Sequence, residues 1–461
     1  MKPRYFIQTY GCQMNVHDSE RMAGMLDALG YAPTASPEDA DVILMNTCAV
    51  RERPEHKLYS ELGALRKLKA NHPDLIIGVA GCMAQREADG IRARVPEVDI
   101  LLGPRNLHHL PHLLRRAGHG ENHADGLDLE CDPTPATPVR RSSAVSAYVD
   151  VIFGCNFNCT YCAVPSARGR EVSRRPGEIL EEIKQLCDLG YREITLLGQT
   201  VNAYGHDLEK LPDGTRMDFA WLLERINDLN PRVRVRFTSP HPMYFNQRLI
   251  DAIAALPSVC EHLHLPLQSG DNDCLRRMKR TYTVEKFRRI IDSIREKIPG
   301  VAVTTDTIVG FCGESEEEFQ HTIGAFEEIQ FDQAFMFAYS PRHSTEAWEW
   351  PDDVPAAVKQ RRLRALIDLQ NHIAREKNRR LVGRSFEVLV EGVSDKDGSR
   401  LRGRTRTNKL VLFPGDLANY PAGSLVEVAT HEAFLWGFVG EAEQVLSRPA
   451  SPKRIIELSV V

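Results

Sequence analysis

The stretch Gly154-Cys155-Asn156-Phe157-Asn158-Cys159-Thr160-Tyr161-Cys162-Ala163-Val164-Pro165 carries three cysteines at spacings of four and three. Three thiolates on one short loop can hold three irons of a cubane 4Fe–4S cluster and leave the fourth iron open to an outside ligand. A structural zinc site would need four closed ligands, and no further Cys or His lies close by in sequence. Phe157 and Tyr161 follow the first and second cysteines, where they would keep water from a cluster. The bland alternative is a set of buried loop cysteines. The regular spacing favours the cluster.

Working outward, Ala147–Phe153 reads as a strand that delivers the cysteines at its end. Strand-like runs recur at Glu193–Leu197, Val233–Thr238, Glu261–Leu265, Ala302–Val309 and Ala334–Tyr339. Amphipathic helical stretches separate them, at about Gly177–Leu189, Phe219–Asp228, Gln247–Leu256, Val284–Lys297 and Glu316–Ile329. Six parallel strands in βα order predict a partial (β/α)6 barrel, whose reactive edge is the C-terminal one. Gln199, Ser239 and Gln268 fall at strand ends, where they could hydrogen-bond a ligand's carboxylate or ribose. Arg170, Arg174 and Arg175 follow the cysteine loop and could bind a carboxylate or phosphate, or simply form a solvated helix start. A charged amphipathic helix, Val358–Arg380, leaves the barrel.

The N-terminal part also alternates strand and helix, predicting an open parallel sheet with helices on its faces. Strands are expected at Tyr5–Thr9, Val42–Met45, Leu75–Ala80 and Val98–Leu102. Cys12, Cys48 and Cys82 each follow a strand end, 36 and 34 positions apart. Ligands bind at that edge of a parallel sheet, so the three are expected to converge as a second cluster site. Residues 118–145 are rich in His, Gly, Asp, Pro and Arg and read as an interdomain linker. Cys131 lies in it with no partner at ligand spacing.

Beyond residue 380, short apolar runs and glycine turns predict a small antiparallel barrel over 381–446 of the oligonucleotide-binding kind, then a loose tail, 447–461. Arg400, Arg402, Arg404 and Arg406 recur at period two and share one strand face, with Lys409 after them. Arg402, Arg404, Arg406 and Lys409 are therefore candidate RNA-phosphate contacts. The domains expected are thus 1–117, the linker, 146–380 and 381–446, an α/β protein with a β-barrel appended.

With 461 residues, two or three domains are expected; 42% hydrophobic and 26% charged residues is ordinary globular composition. A net charge of −5 excludes a generally basic nucleic-acid binder, so RNA contact must be local. Met1-Lys-Pro-Arg running straight into a strand argues against a signal peptide, and no apolar run reaches the ~20 residues of a membrane span. Eleven cysteines are an odd count at low density, and cysteines used as metal ligands in a reducing cytoplasm fit better than a disulfide scaffold.

The cysteine loop resembles that of the radical S-adenosylmethionine (SAM) superfamily. The resemblance narrows to its methylthiotransferases through Gly11-Cys-Gln-Met-Asn15, Asn46-Thr-Cys-Ala-Val-Arg51, Gly81-Cys82, Gly169-Arg-Glu-Val-Ser-Arg174, Leu197-Gly-Gln-Thr-Val-Asn-Ala-Tyr204, Phe237-Thr-Ser-Pro-His-Pro242, His264-Leu-Pro-Leu-Gln-Ser-Gly270 and Gly403-Arg-Thr-Arg-Thr-Asn-Lys409. Gln13-Met14-Asn15 is similar to the MiaB class, which acts on N6-isopentenyladenosine at position 37, beside the tRNA anticodon. A threonylcarbamoyladenosine or a ribosomal-protein side chain is the alternative substrate. The resemblance implies an N-terminal methylthiotransferase domain, a radical SAM barrel and a TRAM domain. It implies a SAM-binding 4Fe–4S cluster on Cys155, Cys159 and Cys162, and an auxiliary 4Fe–4S cluster on Cys12, Cys48 and Cys82. It also implies two SAM molecules per product, one as methyl donor and one as source of a 5′-deoxyadenosyl radical that takes hydrogen from C2 of the base. The expected partners are the tRNA anticodon stem-loop and a reductant such as flavodoxin, with the protein monomeric. Two segments depart from the family pattern: Gly310-Phe-Cys312-Gly, where Gly-Phe-Pro-Gly is usual, and Ser340-Pro-Arg-His343-Ser344-Thr345, where Ser-Pro-Arg-Pro-Gly-Thr is usual.

Overall fold

A computed structural model describes residues 2–48, 52–121 and 123–449. Ala49–Arg51 of one motif, and the tail from residue 450, lie outside the described residues.

The first sheet has six parallel strands in the order β2-β1-β3-β4-β5-β6. These are β1 (Arg4–Thr9), β2 (Ala32–Pro33), β3 (Val42–Thr47), β4 (Ile76–Gly81), β5 (Ile100–Leu102) and β6 (Ala124–Gly126). Apolar residues on both faces of β3 and β4 bury against helices on either side, as a doubly covered parallel sheet requires. Register aligns Thr9 with Asn46 and Asn46 with Ala80. Cys12, Cys48 and Cys82 thus leave the sheet at one level of one edge. β6 falls inside the stretch expected to be linker. Backbone pairing of Ile100, Leu101 and Leu102 with Ala124, Asp125 and Gly126 turns that part of it into the sheet's edge strand.

The central domain opens with β7 (Ser146–Asp150), β8 (Ile152–Phe153) and β9 (Val172–Ser173). β8 and β9 pair antiparallel and close the base of the cysteine loop. The barrel wall continues with β10 (Glu193–Leu197), β11 (Arg234–Phe237), β12 (His262–His264), β13 (Ala302–Val309) and β14 (Gln333–Ala338). Two parallel three-stranded sheets, β11-β10-β7 and β12-β13-β14, are joined by a single bridge, Val235 to Val259. The six strands therefore curve into the expected open barrel. One large apolar cluster packs its outer face against the helices. The helix Ala356–Arg379 closes the far side, with Gln370 donating to the Phe331 carbonyl and Lys377 pairing with Asp332.

The last domain is a closed barrel, β15-β16-β17-β19-β18. Its strands are β15 (Ser385–Val393), β16 (Arg400–Thr405), β17 (Leu410–Pro414), β18 (Leu425–Phe434) and β19 (Gly437–Ser447). The expectation was wholly antiparallel; the β17–β19 pair is parallel, and that pair closes the cylinder. Val388, Val390, Leu401, Val411, Phe413 and Phe438 fill it.

Candidate active site

Cys12 caps the helix Gln13–Ala28, and its thiol reaches Asn15 Oδ1 at 3.4 Å. Asn15 is fully buried, and its side-chain amide donates to Asn46 Oδ1 (3.2 Å) and to the Thr47 carbonyl (3.3 Å). Asn46 in turn donates to the Asn15 carbonyl at 2.8 Å. The Gln13-Met14-Asn15 segment therefore ties the Cys12 loop to the Cys48 loop. Gly11 has φ +139°, and a Cβ there would lie 2.7 Å from the Cys48 Cβ, so only glycine lets the loops close. A hydrogen bond from Cys48 brings the Cys12 thiol down to about 6 against the opposing effect of burial, with Arg168 helping. Cys82 moves the other way, raised by burial although Arg168 lies against it. The Cys12 thiol thus meets Cys48, and the charge of Arg168 acts on both Cys12 and Cys82.

The second triplet hangs from the β8–β9 hairpin. Gly154 has φ +76°, and a Cβ there would come within 2.1 Å of the Arg170 carbonyl. The Gly154 amide donates to Gln199 Oε1, and Cys155 Sγ contacts Thr200 Oγ1 at 3.3 Å. Thr160 pins the middle of the loop through Oγ1 to the Arg277 carbonyl at 2.9 Å. Cys159 Sγ accepts from Arg280 at 3.2 Å, and Cys162 Sγ from the Val164 amide at 3.5 Å. Burial and the neighbouring Cys159 push the Cys162 thiol up to about 12, and burial raises Cys155. Crowded, desolvated thiols are poor thiolates by themselves; a cationic iron centre removes that penalty. Phe157 stacks on His241 (4.0 Å, 15°) and Tyr161 meets Phe311 edge-on (6.3 Å, 79°), so both aromatics cover the loop.

Polar groups without a partner among the described residues lie beside this loop: Gln199 Nε2 and His241 Nε2 are buried and unpaired. Burial, then Arg280 and Lys286, hold His241 down to about 2, so it is a neutral ring. Ser239 and Gln268 both adopt left-handed backbone, φ +56° and +71°. Such strain in non-glycine residues is concentrated at ligand sites. Gln268 is held there by backbone bonds on both sides, its amide to the Asp306 carbonyl and its carbonyl from the Ile308 amide, each 2.9 Å. Deeper in the barrel, His264 binds Thr304 Oγ1 (2.9 Å) and Asp306 (3.1 Å), while Phe335 and Phe337 stand exposed on the wall opposite the helices. Two accessible aromatics and a few fixed polar groups therefore stand on that part of the barrel wall. Six thiols in two sets of three, with unpaired polar atoms beside one set, fit two open 4Fe–4S clusters and a small polar cofactor.

Arg168 and Arg280 were not singled out in the sequence. Arg168 ends the short helix Val164–Arg168, which starts just after Cys162. Its guanidinium pairs with buried Asp18 at 2.8 Å, bonds the Cys82 thiol, and acts on Cys12 through its charge. One side chain thus runs from behind one triplet into the other. Arg280 also donates to Tyr282 Oη at 3.0 Å and lies over that ring. The only sequence signal for either was an arginine near a motif.

Five of the expected contact residues have partners within the chain. Arg174 is buried, bonded to Glu182 and the Asp150 carbonyl, both at 2.8 Å. It lines an interdomain cavity of about 310 Å³ together with His17, Arg21 and linker residues Pro133–Thr137, not the cluster loop. Arg406 pairs with Glu261 at 2.8 Å, across the domain boundary. Lys409 is buried against Asp332 (3.2 Å) and Asn378 (2.8 Å). Arg402 keeps the strand face expected of it but pairs with Asp395, and Arg404 beside it pairs with Glu391 at 3.1 Å. The shared face exists, but acids of this chain neutralise much of its charge. Of the departures from the family pattern, Cys312 is buried in an apolar cluster with Phe311 and Tyr339. Ser344 has φ +61° and accepts from Arg86, on the helix Cys82–Arg86, so that loop clamps the N-terminal domain.

The fold and the two triplets define an iron–sulfur enzyme of the radical SAM class. The radical SAM superfamily model matches residues 149–326, the TRAM domain model 379–433, and the model described as Uncharacterized protein family UPF0004 residues 4–103. A protein of Moorella thermoacetica named tRNA-2-methylthio-N(6)-dimethylallyladenosine synthase is 48% identical over 439 residues, 94% of this chain and 97% of that one. One of the same name from Thermoanaerobacter pseudethanolicus is 46% identical over 445 residues, 96% and 93% of the two chains. The radical SAM methyltransferase TsrM of Kitasatospora setae, solved with cobalamin and a 4Fe–4S cluster, shares the fold at TM-score 0.52 and 14% identity over 73% of this chain and 75% of that one. The chain belongs to the tRNA-2-methylthio-N(6)-dimethylallyladenosine synthase family.

Proposed function

We propose that this protein adds a methylthio group to C2 of N6-isopentenyladenosine at position 37 of tRNA, as a transferase using SAM and two 4Fe–4S clusters. The observation that carries the reading is Arg168, which joins the helix following Cys155, Cys159 and Cys162 to Cys12, Cys82 and Asp18. A two-centre reaction needs its centres fixed against one another, and this contact fixes them.

C2 of adenine bears an unactivated C–H bond that no side-chain acid or base can break at neutral pH. Bound at the two triplets, the clusters and SAM would supply one-electron chemistry together with the sulfur and methyl group. The chain's residues bind, orient and exclude water. Cys155, Cys159 and Cys162 hold one cluster; Cys12, Cys48 and Cys82 hold the other. Gln199, Ser239 and Gln268 stand where SAM would be hydrogen-bonded, and the unpaired atoms of Gln199 and His241 support that placement. Phe157 and Tyr161 shield the loop. The exposed rings of Phe335 and Phe337 would receive the base after it leaves its stack. Arg402 and Arg404 remain half-exposed, and a surface ion pair is worth only about 0–1 kcal/mol, so phosphate can replace their carboxylates.

The reductant would be a small external electron carrier such as flavodoxin, the working form a monomer, and the compartment the cytoplasm. No helix among the described residues is long and apolar enough to cross a membrane. The test is anaerobic incubation of the reconstituted protein with SAM, dithionite, sulfide and tRNA carrying isopentenyladenosine, followed by nucleoside mass analysis. The 2-methylthio product is expected from that tRNA and not from tRNA carrying threonylcarbamoyladenosine. The reverse preference would refute the substrate.

A further inference from the structure

Cys131, without a partner at ligand spacing in the sequence, has two in space. His108 and His109 end the turn Pro104–His109 that follows β5. Cys131 lies beyond β6 in the segment that returns along the same domain. Its Sγ is 3.7 Å from His108 Nε2 and 3.6 Å from His109 Nε2, and the three donor atoms all lie within 4.8 Å of one another. The two rings are neighbours, 4.1 Å between centroids.

These separations have a simple meaning. A tetrahedral ion bonded at about 2.3 Å to sulfur and about 2.0–2.1 Å to nitrogen holds that S and N about 3.5–3.6 Å apart. A thiol can donate its one proton to only one imidazole nitrogen and accepts only weakly from the other, whereas a cation engages all three donors at once. We infer that His108, His109 and Cys131 form a zinc site, distinct from both cysteine triplets, with a solvent molecule as fourth ligand. Two imidazoles and one thiolate make a borderline-soft donor set, which suits zinc over magnesium or calcium. The exposed ring of His109 leaves the fourth position open to water.

The site has a mechanical consequence. Arg105 donates to the Cys131 carbonyl at 2.9 Å. The same guanidinium donates to the carbonyls of Arg168 (3.1 Å) and Arg170 (3.0 Å), behind the radical SAM cysteine loop. An ion on Cys131 therefore anchors the segment that orients Arg105, and Arg105 holds the loop. The zinc acts as a clip between the linker, the N-terminal sheet and the barrel.

The test uses the full-length, cluster-loaded protein and zinc alone as the probe. Zinc and iron are counted together by mass spectrometry, zinc coordination is read by X-ray absorption, and affinity by competition with a chromophoric chelator. One zinc per chain is expected, with one sulfur and two nitrogen ligands. His109→Ala and Cys131→Ala should each weaken zinc binding at least tenfold with the iron count unchanged. His109 is exposed and Cys131 only half-buried, so neither change disturbs the core. His112→Ala, on a neighbouring exposed histidine, should leave zinc unchanged. The inference is overturned if the protein takes up no zinc at micromolar concentration, if the doubly substituted H109A/C131A protein binds it as the wild type does, or if the His112 variant loses it equally.

Discussion

Replacing Arg168 separates two jobs that one guanidinium performs. Arg168 and Asp18 are 6% and 2% exposed at the side chain and 2.8 Å apart. Removing one partner of such a pair strands a buried charge and costs about 3–5 kcal/mol. At a urea slope of about 2–3 kcal/mol per M, the midpoint of Arg168→Gln should fall by about 1–2 M. Removing both charges, as Asp18→Asn with Arg168→Gln, leaves two amides able to bond each other, and most of that loss should return. The second job does not return with it. The guanidinium bonds the Cys82 thiol and acts on Cys12 through its charge. A unit charge about 6 Å from a centre, at an effective dielectric near 20, contributes about 3 kcal/mol. For a one-electron couple this is on the order of 100 mV. Loss of a nearby cation favours the less negative, oxidised cluster, so the auxiliary potential should fall. The assay is a redox titration followed by electron paramagnetic resonance, in a Cys159→Ala background that silences the other cluster, alongside urea unfolding of each variant. A stable double variant with the wild-type potential in that background, and with full methylthio turnover when Cys159 is retained, would refute the reasoning.

Cys159→Ala should lose about four irons per chain and all SAM cleavage; Cys48→Ala should lose a similar amount of iron yet still cleave SAM without inserting sulfur. Iron analysis and chromatography of 5′-deoxyadenosine check both. Burial pushes the Glu182 carboxyl up, but Arg174 and then Arg141 outweigh it and bring it from 4.5 to about 2. A depressed carboxyl contributes stability that is complete above its unfolded value and lost as pH falls through its folded one. Glu182→Gln should therefore cost about 3 kcal/mol above pH 4.5, with the difference from wild type vanishing by about pH 2, measured by urea unfolding of cluster-free protein. The double variant R402A/R404A should lower the salt slope of tRNA binding by about 1–2, whereas Arg406→Ala should leave that slope intact and loosen the barrel–TRAM contact made through Glu261, as read by limited proteolysis.

Cys12, Cys48 and Cys82 could be read together because each follows a strand end, and register sets those strand ends at one level; Cys155, Cys159 and Cys162 could be read together from their spacing on one loop. The barrel strands were legible from apolar runs bounded by turn residues. What escaped depended on pairing across long sequence distances. β6 is three residues without a hydrophobic pattern, and only its neighbour β5 makes it a strand. Arg168, Arg280 and the partners of Cys131 act on residues far away in sequence, so no local pattern marks them. For the arginine row it is the partners that were not legible. Its period was right, but Glu391 and Glu261 lie on other elements, and their effect on its charge appears only after folding.

That neutralised row has a structural use. Arg234 and Arg236, on the barrel wall, donate to the carbonyls of Arg404, Thr405 and Arg406, each at 2.8 Å for the shortest bond. Arg236 is compensated by Glu193 at 2.7 Å and Arg234 by Glu387 at 2.8 Å. The end of β16 is therefore held to the barrel by charge-assisted bonds to its backbone, which do not depend on the side chains that face outward. A TRAM domain on a loose tether would bind RNA without fixing where the target base lies relative to the clusters. One locked to β11 by its own backbone would turn the RNA contact proposed at Arg402 and Arg404 into a defined position for the base. The acids beside those arginines would lower affinity for phosphate in general, so that on the proposed function the energy of placing the correct base would decide which RNA stays bound.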